Sequence, residues 1–155
     1  MNVLMKTEAL KEKILEKIPD AIEGTSGEWL QMELTALQWP DAAQWLRDDK
    51  ELYFDFLFCL TCIDWLKHLT MVYHVTSTKY RHNLVIKVNL DREKPEIGSV
   101  AGIWRTADFH EREVYEMYGV QFIGHPDLRK LILPDDWEGY PMRKDYDDPV
   151  NMIKL

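Results

Sequence analysis

At 155 residues, 46% of them hydrophobic, the chain suits one domain built around a single modest core. Its 27 acidic residues against 19 basic ones leave a formal charge of −8, which excludes the basic face a nucleic-acid binder needs and any polybasic attraction to anionic lipid. Two cysteines, Cys59 and Cys62, are too few for a secreted disulfide scaffold and too few to hold an iron–sulfur cluster on their own.

The most apolar stretch, Leu52 to Ile63, is interrupted by Asp55 and falls far short of the roughly 20 residues of a membrane-spanning helix. Met1 to Met5 run into Lys6, Glu8, Lys11 and Glu12 without an apolar signal region, so the chain is expected to stay in the cytoplasm and to meet a membrane only through partners.

Leu10, Ile14 and Ile18 recur every fourth residue, which predicts an amphipathic helix from about residue 7 that Pro19 stops. Leu30, Met32 and Leu34 alternate with Trp29, Gln31 and Glu33, so 29–35 reads as a strand. Pro40 fits the first turn of a helix whose stripe, Ala42, Trp45 and Leu46, continues to about Asp49. Residues 53–65 are aromatic and β-branched enough for a buried strand, but periodicity leaves a helical start near Leu52 open. Strands over 70–77 and 83–90 are clearer, and the short turn at Lys79–His82 joins them as an antiparallel hairpin. The polar segment Asp91–Pro95 ends the sheet. Asp108 with Glu111 has close to a capping-box spacing for a helix that runs to Tyr118 and stops at Gly119.

From Gly119 onward no helical or strand period is visible. Pro126, Pro134, Pro141 and Pro149 punctuate a segment rich in Trp, Tyr, Arg and His, too aromatic to be disordered by composition. Long structureless stretches in compact domains are usually functional. Trp137, Tyr140, Tyr146, Arg129 and Arg143 are of the types that dominate protein–protein hot spots, and the prolines lower the ordering cost of docking. The division expected is an α+β domain over 1–118, a small and mostly antiparallel or mixed sheet with helices packed on it, and an extended partner-docking arm over 119–155. Folding of the arm back onto its own sheet is the competing expectation.

The remaining chemistry is thin. Cys59-Leu-Thr-Cys62 has redox spacing, but on a strand positions i and i+3 face opposite ways, which favours two buried hydrophobes. His110-Glu111 lacks the second histidine of a zinc helix, because position 114 is Val. No phosphate-binding loop occurs, and Ser26, Ser77 and Ser99 lack a nucleophile-elbow context. Glu111-Arg112-Glu113 with Glu116 can be a solvated face carrying an Arg112–Glu116 pair at i, i+4. It can also be a buried or interfacial network. The aromatic and Met neighbours of this helix favour the latter.

Glu111-Arg112-Glu113, then Glu116-Met117-Tyr118, His125, Arg129 and Leu131-Ile132 at their spacing resemble the signature of the C-subunit family of respiratory complex I, the NADH–quinone oxidoreductase. Leu133 to Tyr146 resembles the same family's C-terminal segment. So do Thr61-Cys62-Ile63-Asp64, Val72 to Val75 and Leu84 to Val88 in order, which extends the likeness over nearly the whole chain. The resemblance implies a non-redox structural subunit of the peripheral arm of a proton-translocating translocase. It would lie on the cytoplasmic side of the inner membrane, beside the quinone-site subunit and the subunit with the terminal iron–sulfur cluster. It implies no catalytic residue and no cofactor in this chain, with FMN and iron–sulfur clusters carrying electrons from NADH to quinone in partner subunits. The expected family and docking residues are Glu111, Arg112, Glu113, Glu116, His125, Arg129, Trp137, Tyr140, Arg143, Lys144 and Tyr146. The rivals are the equivalent subunit of a membrane-bound hydrogenase or of a ferredoxin-dependent plastid or cyanobacterial-type dehydrogenase, a stand-alone Cys-x-x-Cys redox protein, and a free-standing adaptor.

Overall fold

The computed structural model describes residues 5–25 and 27–152. Ser26, most of the Met1 to Met5 stretch and the last three residues of the expected arm lie outside them.

The elements in chain order are α1 (Thr7–Lys17), β1 (Ile22–Glu23), β2 (Leu30–Leu34), α2 (Trp39–Asp48), β3 (Phe56–Asp64), β4 (His68–Thr76), β5 (Asn83–Asp91), β6 (Glu96–Gly98), α3 (Ala107–Tyr118) and β7 (Gln121–Ile123). A five-stranded sheet runs in the order β1-β2-β5-β4-β3, and β6 and β7 form a separate parallel pair. The large sheet is mixed. β2 runs parallel to β5 with Leu30 opposite Leu84, and the other neighbours are antiparallel. The class is therefore the expected α+β. β1, β6 and β7 are too short for a periodicity to reveal.

Alternation sends Leu30, Met32 and Leu34, Leu69, Met71, Tyr73 and Val75, and Leu84, Ile86, Val88 and Leu90 to one face. There they meet Leu10 and Ile14 of α1, Trp39, Ala43 and Leu46 of α2, and Val114 of α3 in one core. Trp39 lies 4.4 Å from the Tyr73 ring, centroid to centroid, and stacks on Trp104 at 6.2 Å.

β3 explains why its own pattern is hard to read. Its register against β4 shifts between Leu57 and Cys59, so Phe58 is an extra residue. The bulge brings Leu57 and Leu60, an odd number of residues apart, onto the same buried face. Cys59 then pairs with His74 on the opposite face, while Cys62 pairs with Met71 in the core. The thiols point apart, as a strand requires.

Pro40 takes the first turn of α2 as expected, and the cap of α3 departs from the sequence reading. Thr35 and Gln38 bond reciprocally ahead of α2: the Thr35 N–H donates to Gln38 Oε1 and the Gln38 N–H to Thr35 Oγ1. At α3 the capping residue is Thr106, not Asp108, and its hydroxyl donates to the Leu57 carbonyl at 2.6 Å instead of capping. Asp108 is already inside the helix. At the other end Gly119 takes the left-handed conformation, φ 79°, as expected. Its missing side chain also matters, because a Cβ there would sit 2.6 Å from the Tyr140 ring.

Candidate functional site

The signature helix α3 turns buried charges toward the main chain of the segment that follows it. Glu111, Arg112 and Glu116 are all buried, while Glu113 is exposed. The Arg112–Glu116 pair of the solvated-face reading does not form, because each charge serves a different stretch of backbone.

Glu116 accepts the N–H groups of Leu131, Ile132 and Leu133 at 2.9, 3.0 and 3.0 Å. Arg112 uses its planar fork on two consecutive carbonyls, Nε to Arg129 O and Nη2 to Lys130 O, both at 3.0 Å. Its guanidinium also lies 5.6 Å from the Phe109 ring. Glu111 looks the other way. It accepts the Val100 N–H at 2.7 Å and the Ser99 hydroxyl at 2.6 Å, tying α3 to the chain leaving β6. Burial pushes its carboxyl up to about 7.

His125 anchors the start of the segment. Its side chain is wholly buried, with Nε2 3.2 Å from the Asp108 carbonyl and 3.3 Å from Asp108 Oδ1. Nδ1 accepts the Asp127 N–H at 3.0 Å, which places the ring proton on Nε2, facing Asp108.

The charges continue along the arm. The Lys130 ammonium donates to the carbonyls of Pro134, Asp135 and Trp137 and so closes the 134–137 loop. The Met142 N–H donates to Met117 O, and Arg143 Nε donates to Tyr118 O at 2.7 Å, capping the carbonyl end of α3. The Tyr140 ring lies between Gly119 and the Arg143 guanidinium, 4.9 Å from it.

A second network, absent from the expected site, holds the far end. Asp64, at the end of β3, accepts Arg92 Nε and Nη2 at 3.0 Å each and the Lys144 N–H at 2.9 Å. Arg92 reaches on to Asp145 at 2.6 Å. The Arg92 guanidinium holds the Asp64 carboxyl well below the usual carboxylate range. A signal for this pair was present. Leu60, Cys62 and Asp64 share one strand face, as do Leu90 and Arg92 around the end of β5, and a charge carried onto a core face needs a partner.

The expected residues thus divide. Glu111, Arg112, Glu116 and His125 lie together beneath the arm, and Arg143 and the Lys144 main chain secure its return. The Arg129 side chain pairs with Asp127 and stays exposed. Trp137 and Tyr146 are half-buried, the Tyr146 ring resting against Gly139. Leu131, Ile132, Tyr140 and Met142 keep large apolar surfaces in solvent. Among the described residues no group of His, Cys, Asp and Glu converges as a metal site, and no helix is long and apolar enough to cross a membrane.

Residues 32–150 match the family described as the respiratory-chain NADH dehydrogenase 30 Kd subunit. The chain belongs to that family. Relatives in it include the NADH-quinone oxidoreductase C subunit of Chloroherpeton thalassium, 44% identical over 138 residues, which are 86% of this chain and 58% of that protein. The C subunit of Chlorobium phaeobacteroides is 40% identical over 89% of this chain and 87% of its own length. A protein of Phocaeicola vulgatus named as a C/D subunit is 51% identical over 71% of this chain, but the match spans only 21% of that longer protein. Among solved structures, a trypsin-resistant fragment of Nqo5 superposes with a TM-score of 0.65 at 26% identity, covering 76% of this chain and 98% of the fragment. A chain of the membrane-bound sulfane sulfur reductase, an archaeal respiratory membrane complex, superposes with a TM-score of 0.78 at 28% identity, over 92% of this chain and 86% of that one.

Proposed function

We propose that this chain is a non-redox structural subunit of the peripheral arm of a proton-translocating NADH–quinone oxidoreductase. In that assembly FMN and iron–sulfur clusters in partner subunits carry electrons from NADH to quinone. This chain fixes the geometry of the quinone-site subunit and of the subunit with the terminal cluster, on the cytoplasmic side of the membrane. The relatives named above are NADH-quinone oxidoreductase subunits, which favours this reading over a hydrogenase or a ferredoxin-dependent complex.

The observation that carries the proposal is the way residues 125–146 are held. Their main chain is bonded to charged groups of the domain, while Leu131, Ile132, Tyr140 and Met142 face solvent. A segment ordered before docking loses less entropy when it docks, so its apolar side chains act as preformed anchors. Residues 119–155 are then the docking arm, with Trp137, Tyr140, Lys144 and Tyr146 offered to partners while Glu111, Arg112, Glu116 and His125 act from beneath. A relative named as a C/D subunit, of which the match spans only 21%, supports a D-type sequence as a neighbour.

The test is replacement of the chromosomal gene by a tagged copy, followed by purification of the native assembly. NADH–quinone activity and flavin should copurify with the tag, and a Cys59→Ser, Cys62→Ser double variant should keep them. Turnover with ferredoxin or hydrogen and none with NADH would reject the proposal in favour of a related complex.

A further inference from the structure

The two sides of the His125 ring favour different charge states. The side chain is wholly buried, and Nε2 faces three oxygens: the Asp108 carbonyl at 3.2 Å, Asp108 Oδ1 at 3.3 Å and Glu111 Oε2 at 3.8 Å. Asp108 Oδ1 is itself buried and accepts no hydrogen bond. Carboxyl groups beside an imidazole favour its cationic form. Nδ1 opposes that form, because it accepts the Asp127 N–H at 3.0 Å. A neutral ring with its proton on Nε2 takes a second proton at Nδ1, where two donors would then face each other. The imidazolium and the Asp127 hydrogen bond exclude one another.

That bond closes the root of the arm. It spans Pro126, which has no N–H to offer in its place. Just before it Gly124 has φ 81° with open space around it, so the chain has room to turn there. Beyond it, the main chain of 129–133 is held separately by Arg112 and Glu116.

The charges around the ring come from α3 and from the arm. On α3, burial pushes the Glu111 carboxyl up to about 7, so below that pH Asp108 is the carboxylate left beside Nε2. In the arm, the Asp127 carboxylate is engaged by Arg129 at 2.8 Å, and the Arg112 guanidinium lies on the Arg129 and Lys130 carbonyls. Behind Glu111 stands Tyr73 of β4, whose phenol burial raises well above its ordinary value and so keeps neutral. Ser99 and Val100, which bond Glu111 from the chain leaving β6, bring no charge.

We propose that His125 is a proton-operated latch at the root of the arm. The neutral ring holds residues 124–128 closed through the Asp127 N–H, and a proton taken from solvent at Nδ1 on acidification releases them while 129–133 stay attached. The latch belongs to this chain alone and does not depend on which assembly the chain joins.

The experiment follows the full-length chain from about pH 8 down to about pH 4, reading the ring ¹⁵N resonances of His125 and the exchange protection of the Asp127 amide. Protonation of the ring and loss of Asp127 protection, by about tenfold or more, should share one midpoint, with the Leu131, Ile132 and Leu133 amides still protected. Asp108→Asn removes a negative charge that favours the imidazolium, so it should move both midpoints down together by about half a unit. His125→Asn offers an acceptor oxygen near the Nδ1 position and takes no proton, so Asp127 protection should no longer depend on pH. If that variant does not fold, the paired shift in Asp108→Asn decides alone. A ring that takes its proton while Asp127 stays protected, a ring that stays neutral throughout, or midpoints that separate in Asp108→Asn would each overturn the latch. Loss of Asp127 protection at the wild-type pH in His125→Asn would overturn it as well, and would assign the opening to another group.

Discussion

Residues 56–91 and residues 125–146 both have to satisfy their main chain, and they do it by opposite means. In β3, β4 and β5 the N–H and C=O groups pair with each other, and the alternate side chains go into the core. In the arm the main-chain groups go to Glu116, Arg112, Lys130 and Asp64. The sheet uses its own apolar side chains to become stable. The arm borrows charges, most of them from the domain, and keeps its apolar side chains for something outside. An irregular segment can thus be ordered before any partner arrives.

That contrast breaks most visibly at Glu116. Glu116→Ala leaves the N–H groups of Leu131, Ile132 and Leu133 without their acceptor, and urea unfolding of the isolated chain should show a loss of about 2–4 kcal/mol. A loss that large, comparable to truncating the core residue Met71, would make 125–133 part of the domain's fold. A change below about 0.5 kcal/mol would show a loosely attached segment. Arg112→Lys keeps the charge but not the fork that spans two carbonyls, so it should cost about 1–2 kcal/mol in the same measurement.

The two buried carboxylates sharpen the comparison through pH. Glu111 titrates higher folded than unfolded, so its contribution is fully present below the ordinary carboxylate value near 4.5 and is lost as pH rises through about 7. Unfolding free energies between pH 5 and 8 should decline in the wild type and decline less in Glu111→Gln. Asp64 titrates lower folded than unfolded, so its contribution is present above the ordinary value and is lost in acid. Release of the far end of the arm should accordingly be an acid transition that Asp64→Asn abolishes.

The smallest effect on stability belongs to the outward side chains. Ile132→Ala should change the isolated chain by less than about 0.5 kcal/mol, since Ile132 is 68% exposed. It should nevertheless weaken recovery of the assembly. Trp137→Ala should likewise impair assembly more than it lowers the Tm. Equal losses in both measurements would mean that the arm serves its own domain alone.

Much of the domain was legible because its signals are local. The four-residue spacing of Leu10 and Ile14, the alternation around Ile86 and the stop at Gly119 each follow from backbone geometry alone. The β3 bulge hid its strand, because one extra residue breaks the two-residue period between Leu57 and Leu60. The cap at α3 was misread because Glu111, three residues after Asp108, is committed to Ser99 and Val100 across space. At the candidate site, sequence pointed to α3, where its aromatic and Met neighbours favoured the burial that Arg112 and Glu116 show. It could not show that their partners are carbonyls and amides, since main-chain groups leave no mark on a sequence. Asp64 and Arg92 meet only through the sheet, and Lys130 acts on a loop closed by its own charge.

Amide hydrogen exchange at Leu131, Ile132 and Leu133 tests the central claim most directly. In the isolated wild-type chain these amides should be protected although they lie outside any helix or strand, and Glu116→Ala should abolish that protection while β4 and β5 stay protected. Fast exchange of the three amides in the wild type, or protection that survives the loss of Glu116, would contradict an arm held by its main chain.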